Sequence, residues 1–380
     1  MDTSHLVLTT QMHIDPQVID LGAGQPQFSL LPLHRLQRAA EMRFRQGDPS
    51  FLQYGAEQGD GYLRLELAKF LTRGYDFPVT PENLFITNGA SQGLDLICTL
   101  FTQPGDTIFV EEPSYFLALR IFADHHLRSV PIPIDEGGLS VEGLEKELAR
   151  TRPVFLYTIP TFQNPSGYTL SAERRARLAA LSQEYHFLIV ADEVYHFLNY
   201  TAQPPMALAG FMAQGNVLSL GSFSKILAPG LRLGWIQAEE ARAKAFAGCG
   251  LVDSGGGLNP FTAAIVRGLL ETNELRANID ELRAVYGSRV TAMDRALRES
   301  LPGAFYRVPQ GGYFFWVRLP GGRDARGLLE QAERYKVSFR PGVRFSSCGG
   351  LHDYARLCFA YYAADQLIEG VERLKHALEE

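Results

Sequence analysis

The sequence contains little cysteine, little tryptophan and no excess of basic residues. Of 380 residues, four are cysteine and two are tryptophan, and the formal net charge is -6. The cysteines show neither CxxC nor Cys/His spacing, so they predict neither a disulfide framework nor a metal site. Without a secretory signal, reduced cytoplasmic thiols are expected. The absence of a Lys/Arg block argues against nucleic acids and anionic membranes as partners.

The sequence also lacks long apolar runs, internal repeats and low-complexity linkers. No stretch approaches the roughly 20 apolar residues that a membrane-spanning helix needs. A chain of 380 residues exceeds what one hydrophobic core usually supports. We therefore expect a cytoplasmic protein with two domains, or with one large domain and a satellite.

The middle of the chain alternates short apolar runs with helical patterns. Strands are predicted at LFIT (84–87), TIFVEE (107–112), PVFLYTI (153–159), FLIVAD (187–192), NVLSL (216–220) and LRLGWIQ (231–237). Helices are predicted from Ser91, over 114–125, and from Ser171 as N-cap. Strands separated by helices indicate a mostly parallel sheet covered by helices. This α/β pattern predicts a large domain over 51–270.

The C-terminal third has a different pattern. Helices are predicted over 272–300, near 323–335 and from Asp365, and strands at FYRV (305–308), YFFWVRL (313–319) and RLCFAY (356–361). Together these elements predict a smaller α+β domain. The first 50 residues are expected to pack with it, so the small domain comprises 1–50 and 271–380.

Polar residues follow five of the predicted strands, where parallel sheets bind ligands. They are NGASQG (88–93), EEPSY (111–115), TFQNPSG (161–167), DEVY (192–195) and GSFSK (221–225). Each alone is typical of a turn, a helix cap or a core position. The first also opens a helix, which suits a phosphate. Lys225 lies between two apolar strands, where a charge is costly unless it is paired or consumed chemically.

The combination resembles the class I/II aminotransferases, which are pyridoxal-phosphate enzymes of fold type I. The strongest motif is SFSK (222–225) followed by PGLRLG (229–234), with DEVY beginning 33 residues before Lys225. GAGQP (22–26) and PQGGYFFWVRLP (309–320) extend the likeness over nearly the whole chain. The nearest subgroup resembles the 2-aminoadipate and kynurenine aminotransferases. The resemblance implies a large domain with a mostly parallel sheet and a smaller α+β domain.

The resemblance implies a role for each polar set around pyridoxal 5′-phosphate. Lys225 would form a Schiff base with the cofactor, and Asp192 would keep the pyridine nitrogen protonated. Tyr195 and Asn164 would bind the 3′-oxygen, and Tyr115 would stack on the ring. The phosphate would be held by Ala90, Ser91, Gln92, Ser222, Ser224 and Arg232, and by Tyr54 of a neighbouring subunit, which implies a homodimer.

The substrate residues implied are Arg356 and Asn164, which would bind the α-carboxylate, and Gly24, in a loop that closes over substrate. The reaction implied is a ping-pong transfer from an L-amino acid to a 2-oxo acid. Relatives often carry an acidic residue at the position of Gln27, and no arginine is evident for a distal carboxylate. The substrate is therefore assigned only as an L-amino acid.

Three alternatives stay open from the sequence. A fold type I enzyme diverted to β-elimination, oxidation or C–C bond formation would share the same residues, and the glycine-rich loop 255–257 would suit a reshaped pocket. A dinucleotide oxidoreductase is disfavoured because the third glycine of its fingerprint falls at Gln27. A ligand-sensing domain of a MocR-type regulator is disfavoured because nothing basic precedes the aminotransferase-like part.

Overall fold

The computed structural model describes residues 10–11, 15–213 and 216–380. The helices within these ranges are α1 (Leu33–Arg45), α2 (Gly61–Tyr75), α3 (Ala90–Phe101), α4 (Phe116–Asp124), α5 (Val141–Leu148), α6 (Ala172–Tyr185), α7 (Glu240–Ala247), α8 (Gly250–Gly255), α9 (Pro260–Glu271), α10 (Glu274–Ser300), α11 (Ala325–Ala332) and α12 (Ala364–Glu379). The strands are β1 (Ile19–Asp20), β2 (Leu84–Thr87), β3 (Thr107–Glu112), β4 (Arg128–Asp135), β5 (Gly138–Leu139), β6 (Phe155–Thr158), β7 (Leu188–Asp192), β8 (Val217–Ser222), β9 (Gly234–Gln237), β10 (Phe314–Arg318), β11 (Val337–Ser338), β12 (Arg340–Pro341) and β13 (Tyr354–Cys358).

The centre of the fold is an eight-stranded sheet in the order β2-β9-β8-β7-β6-β3-β4-β5. Neighbours from β8 to β4 run parallel, whereas β9 and β5 are antiparallel to the strands beside them. Strands β2, β6, β8 and β9 are buried along their whole length, as expected when helices cover both faces. The predicted mostly parallel, helix-covered sheet is confirmed.

Local signals account for several element boundaries. The Ser171 Oγ accepts a hydrogen bond from the Arg174 N–H at 3.3 Å, which confirms Ser171 as the N-cap of α6. The strand predicted over 231–237 begins only at Gly234, because Pro229–Leu231 forms a 3-10 turn. Arg232 follows this turn with a φ of 45°, in the left-handed region that strands exclude.

Strand β4 was not predicted from the sequence, because its residues RSVPIPID include two prolines. Proline lacks the N–H of a ladder and usually argues against a strand. Here Pro131 and Pro133 pair in register with Val110 and Glu112 of β3. The β5 partner on the other side is only two residues long, so β4 lies close to the sheet edge, where proline is tolerated.

The C-terminal part contains a small sheet in the order β10-β13-β12 and the 27-residue helix α10. The strand predicted at 305–308 is wrong, since only Phe305 forms an isolated bridge, to Arg318. Strand β1 pairs with β11 and so joins the N-terminal segment to this part, while α1 contacts α9. The domain boundaries stay a prediction, and residues 1–9 and 12–14 of the predicted small domain lie outside the described residues. Among the helices described, none combines the length and hydrophobicity needed to cross a membrane.

Candidate active site

Lys225 lies in the connection between β8 and β9, at the carboxyl end of β8. Its Nζ donates a hydrogen bond to the Gly24 carbonyl at 3.1 Å. The same nitrogen lies 5.1 Å from the ring centroid of Tyr313 and 5.8 Å from that of Tyr195. Desolvation, with a smaller contribution from the charge of Arg356, lowers the pKa of Lys225 to about 8. A substantial fraction of this amine is therefore neutral near physiological pH.

Asp192 ends strand β7 and is buried. Its Oδ2 accepts a hydrogen bond from the Tyr157 hydroxyl at 2.8 Å, while Oδ1 has no partner among the described residues. Burial raises the pKa of Asp192 to about 6, against the effects of the Tyr157 hydrogen bond and of the Lys225 charge. A buried carboxylate oxygen without a donor is costly, so Oδ1 is suited to accept a hydrogen bond from the N–H of a bound group.

Arg356 and Asn164 form a buried pair at the carboxyl end of β6. The Arg356 Nη1 donates to the Asn164 Oδ1 at 3.0 Å, and Nη2 donates to the Gly22 carbonyl at 3.0 Å. The guanidinium carbon lies 4.0 Å from the ring centroid of Phe314. Among the described residues no carboxylate forms an ion pair with Arg356, and burial lowers its pKa to about 10. This arrangement favours an incoming carboxylate as the missing counterion.

A group of polar donors surrounds the start of α3. No side chain in the described part of the chain caps this helix, whose N-cap residue, Gly89, has a φ of 85°. A Cβ at Gly89 would lie 2.7 Å from the Arg232 Nη2, so glycine permits the guanidinium to approach. The Ser222 hydroxyl donates to the Ser224 hydroxyl at 3.0 Å, and the Arg232 Nη2 donates to the Asn88 carbonyl at 3.2 Å.

The helix start itself comprises the predicted residues Ala90, Ser91 and Gln92. Ala90 and Gln92 are half-buried, whereas Ser91 is exposed. The Gln92 Oε1 accepts a hydrogen bond from the Asn88 N–H at 3.2 Å. Uncapped N–H groups with the positive end of the helix dipole are a favourable environment for a phosphate.

Two predicted aromatic residues border the site. Tyr195 is buried and lies edge-to-face with Tyr313 and Phe314, at centroid distances of 5.5 and 6.1 Å. Tyr115 precedes α4 and is only partly exposed. Burial, with the nearby charge of Asp192, raises the pKa of Tyr115 to about 12. Both hydroxyls are therefore protonated at neutral pH.

Tyr54, another predicted site residue, has 84% of its surface exposed. It adjoins the glycine-rich segment, where Gly55 and Gly257 form a backbone bridge. A Cβ at Gly257 would come within 1.8 Å of the Ala56 carbonyl, and a Cβ at Gly256 within 2.8 Å of the Gly55 carbonyl. Gly256 and Gly257 thus have a packing role against 54–56, which gives a structural reason for two of the three consecutive glycines.

Two buried glutamates were not assigned roles from the sequence. Glu193 accepts hydrogen bonds from the Leu208 and Ala209 N–H groups and the Ser219 hydroxyl, and it lies 3.8 Å from the guanidinium of Arg175. Glu111, at the end of β3, accepts hydrogen bonds from the exit of β6. The sequence signal for Glu111 was the acidic pair that ends the apolar run TIFVEE, because a carboxylate inside a covered sheet is unusual.

The residues present fit pyridoxal 5′-phosphate. The unpartnered Asp192 Oδ1 matches a protonated ring nitrogen, and the Lys225 amine matches an aldehyde. The uncapped start of α3, the Ser222 and Ser224 hydroxyls and the Arg232 guanidinium form a donor set for a phosphate. The site therefore offers partners for the ring nitrogen, the aldehyde and the phosphate of this cofactor.

Replacing Asp192 by asparagine is expected to stabilise the protein when no cofactor is bound. The folded-state pKa of about 6 exceeds the ordinary 3.8. The contribution of protonated Asp192 to the free energy of unfolding is therefore complete below pH 3.8 and is lost as the pH rises through 6. At pH 7.5 the buried charge is unfavourable, and we expect Asp192→Asn to gain about 1–3 kcal/mol.

Thermal unfolding of the cofactor-free proteins at pH 5.0 and 7.5 measures this effect, with the exposed Asp124→Asn as matched control. The gain is expected to be larger at pH 7.5 than at pH 5.0. An equal or smaller gain at the higher pH contradicts the assigned direction of the pKa shift.

Comparisons with known proteins agree over most of the chain. The model of the family described as Aminotransferase class I and II matches residues 16–374. The Aromatic-amino-acid aminotransferase 1 of Thermococcus litoralis is 35% identical over 376 residues, which cover 96% of this chain and 88% of the relative. The 2-aminoadipate transaminase of Thermus thermophilus is 34% identical, with 96% and 90% of the two chains covered.

A solved structure shows the same fold. The kynurenine aminotransferase of Pyrococcus horikoshii, in complex with PMP and KYN as substrates, superposes with a TM-score of 0.90 at 34% identity. The match covers 96% of this chain and 91% of that one.

Proposed function

The chain belongs to the class I and II aminotransferases, and from that premise we propose that Lys225, Asp192, Asn164 and Arg356 carry its reaction. The predicted family, fold type and pyridoxal-phosphate dependence are confirmed. The enzyme transfers an amino group between amino acids and 2-oxo acids. The observation that supports the residue assignment is that the charges of Asp192 and Arg356 both act on the buried Lys225 amine. Among the described residues, one Asp192 oxygen lacks a hydrogen-bond partner and no carboxylate pairs with Arg356.

When bound, the cofactor supplies an aldehyde that condenses with amines and a ring that withdraws electrons from Cα. Arg356 and Asn164 bind the substrate α-carboxylate and thereby orient Cα. A guanidinium presents two parallel N–H donors that match a carboxylate, and Asn164 holds one of its nitrogens in place. Because this cation is buried among aromatic rings, the pairing with a carboxylate is worth more than at the surface.

Lys225 holds and moves the proton at Cα. Its pKa of about 8 lies near the operating pH, where a positioned amine both accepts and returns protons efficiently. Burial achieves this shift. The Gly24 carbonyl, on the loop that the sequence indicates as a substrate lid, orients the amine through its 3.1 Å contact.

Asp192 keeps a proton on the ring nitrogen of the cofactor. Its Oδ1 is the free acceptor, and Tyr157 fixes the carboxylate orientation through Oδ2. Ser222, Ser224, Arg232 and the start of α3 bind the phosphate. Tyr195 and Tyr115 bind and cover the ring, as the family resemblance implies.

The amino donor that the site favours has an apolar or aromatic side chain. Phe28 and Leu30 lie on the same N-terminal loop as Gly24, and Phe28 is 62% exposed beside Tyr361. The related aminotransferases named above act on aromatic amino acids, kynurenine and 2-aminoadipate. An apolar loop that is exposed without substrate gains most from covering an apolar side chain.

Half-reaction absorption spectra test the proposed function. The cofactor-loaded enzyme is mixed with L-phenylalanine, L-leucine or L-2-aminoadipate without an acceptor. The visible band is expected to bleach most with L-phenylalanine and to return when 2-oxoglutarate is added. Release of ammonia, or of a 2-oxo acid in excess of the enzyme without an acceptor, would instead establish a diverted reaction.

We predict a homodimer whose sites share Tyr54. Tyr54 is 84% exposed, and the large side chains of Leu52, Tyr62 and Phe261 are exposed as well. Exposed apolar and aromatic side chains of this kind suit burial against a second copy. Tyr54→Phe is expected to weaken cofactor retention about tenfold, the value of roughly one hydrogen bond to a phosphate. Cofactor dissociation constants and light-scattering masses measure it. A monomer of undiminished activity contradicts the shared site, and Tyr62→Phe is the matched control.

The predicted cytoplasmic location and the predicted division into domains over 51–270 and over 1–50 with 271–380 remain proposals. The division into domains accords with the eight-stranded sheet formed within 84–237 and with the pairing of β1 and β11. Limited proteolysis that releases a stable fragment over 51–270 would support the division.

A further inference from the structure

Glu111 is a buried carboxylate outside the set of residues that the family resemblance identifies. It is the penultimate residue of strand β3 and is 2% exposed. Its Oε1 accepts a hydrogen bond from the Thr158 hydroxyl at 2.6 Å, and its Oε2 accepts one from the Ile159 N–H at 3.0 Å. Oε2 also accepts one from the Gln163 Nε2 at 3.2 Å. Three donors, one from the last residue of β6 and two from the segment that follows it, therefore converge on this one side chain.

Gln163 extends this connection to the turn that carries Asn164. Its Nε2 donates to the Pro113 carbonyl at 2.7 Å as well as to Glu111. Its Oε1 accepts a hydrogen bond from the Ser166 N–H at 2.8 Å, across the turn. The side chain of Gln163 thus fastens both sides of Asn164 to the exit of β3.

Asn164 in turn holds Arg356. The Asn164 Oδ1 is the only side-chain acceptor of the Arg356 guanidinium among the described residues. A shift of the turn that carries Asn164 would displace this oxygen and rotate the guanidinium that binds a carboxylate. Small displacements of a positioning group are costly in binding and catalysis.

The electrostatics of Glu111 support a role beyond stability. No cation in the described part of the chain forms an ion pair with it, so its burial is compensated by hydrogen bonds alone. Burial raises the pKa of Glu111 to about 7, although its three hydrogen bonds act in the opposite direction. An apolar residue would avoid this cost, whereas only a double acceptor satisfies all three donors at once.

We propose that Glu111 is a positioning residue for the substrate-carboxylate site, acting through Gln163 on Asn164 and Arg356. The inference rests on the proposed carboxylate-binding role of Asn164 and Arg356. Glu111 contacts neither substrate nor cofactor in this scheme. Its contribution is the fixed geometry of the acceptor that orients the guanidinium.

The test compares Glu111→Ala and Glu111→Gln with Glu112→Gln. Glu112 is the next residue of the strand and accepts hydrogen bonds from Ser347 instead, so it is a matched control. Steady-state kinetics with L-phenylalanine give kcat and KM. Calorimetric titration with 3-phenylpropanoate, which carries a carboxylate but no amine, measures carboxylate binding without turnover.

Glu111→Ala is expected to raise KM and the dissociation constant of 3-phenylpropanoate about tenfold, because the released turn no longer fixes Asn164. The kcat and the visible cofactor band are expected to change little. Glu111→Gln keeps the shape and one acceptor oxygen, so binding is expected to return to within about threefold of the parent protein. Glu112→Gln is expected to match the parent.

An unchanged dissociation constant in Glu111→Ala overturns the proposal, as does an equal fall of kcat in all Glu111 variants with KM unchanged. If Glu111→Ala does not fold, Gln163→Ala breaks the same connection one step later and takes its place in the test. Failure of Arg356→Lys to weaken 3-phenylpropanoate would instead refute the carboxylate site itself, which separates the two hypotheses.

Discussion

Turnover of Lys225→Ala is expected to fall by at least about 10⁴-fold, because the substitution removes both the nucleophilic amine and the proton carrier at Cα. The loss is chemical and not structural. Within the described ranges the amine makes one hydrogen bond, to the Gly24 carbonyl, and its removal relieves a buried group with a lowered pKa. The variant is therefore expected to fold and to bind the phosphate of the cofactor.

Single-turnover spectra and kcat with L-phenylalanine measure this result. Lys225→Arg keeps a cation but not a condensing amine, and is expected to be as inactive as the alanine variant. Lys244→Ala on helix α7 removes an exposed lysine paired with Glu240 and serves as control. Retention of more than a hundredth of the parent kcat in Lys225→Ala would contradict the assignment.

Arg356→Ala is expected to lower kcat/KM roughly 30- to 5,000-fold, which corresponds to a loss of about 2–5 kcal/mol of binding free energy. The substitution removes the buried cation and also leaves the Asn164 Oδ1 and the Gly22 carbonyl without their donor. Arg356→Lys restores the charge but not the fork, so an intermediate loss is expected.

The ratio of effects on two ligands checks this role. Arg356 variants are expected to lose affinity for 3-phenylpropanoate but not for 3-phenylpropylamine, which lacks a carboxylate. The exposed Arg298→Ala, paired only with Asp294 along helix α10, is the control. Equal losses for both ligands would assign Arg356 to general packing of the pocket.

The parts of the site that the sequence predicted are those in which chemistry dictates the residue type. Asp192 and Arg356 alone would be typical of a helix cap and of a strand edge, and their roles came from the combination with Lys225 that resembles the aminotransferases. Lys225 was noticed first because a charge next to apolar strands is costly unless it is paired or consumed chemically. The strands themselves were predicted because a covered parallel sheet gives continuous apolar runs, as in FLYT and LIVAD.

The parts that were missed depend on tertiary context. Strand β4 contains two prolines that only its place near the sheet edge makes acceptable. Glu111 was visible in the sequence, but its three donors come from residues about 50 positions later. The close packing of Gly256 and Gly257 against 54–56 also could not be predicted, because the two segments lie about 200 residues apart in the chain.

The N-terminal loop provides both cations of the site with a backbone oxygen. The Gly22 carbonyl contacts Arg356, and the Gly24 carbonyl, two residues later, contacts Lys225. A substrate that approaches Arg356 or Lys225 therefore meets a group that already has a carbonyl oxygen as partner. The observed affinity of an amino acid is the free energy of its new contacts minus that of the carbonyl contacts it replaces.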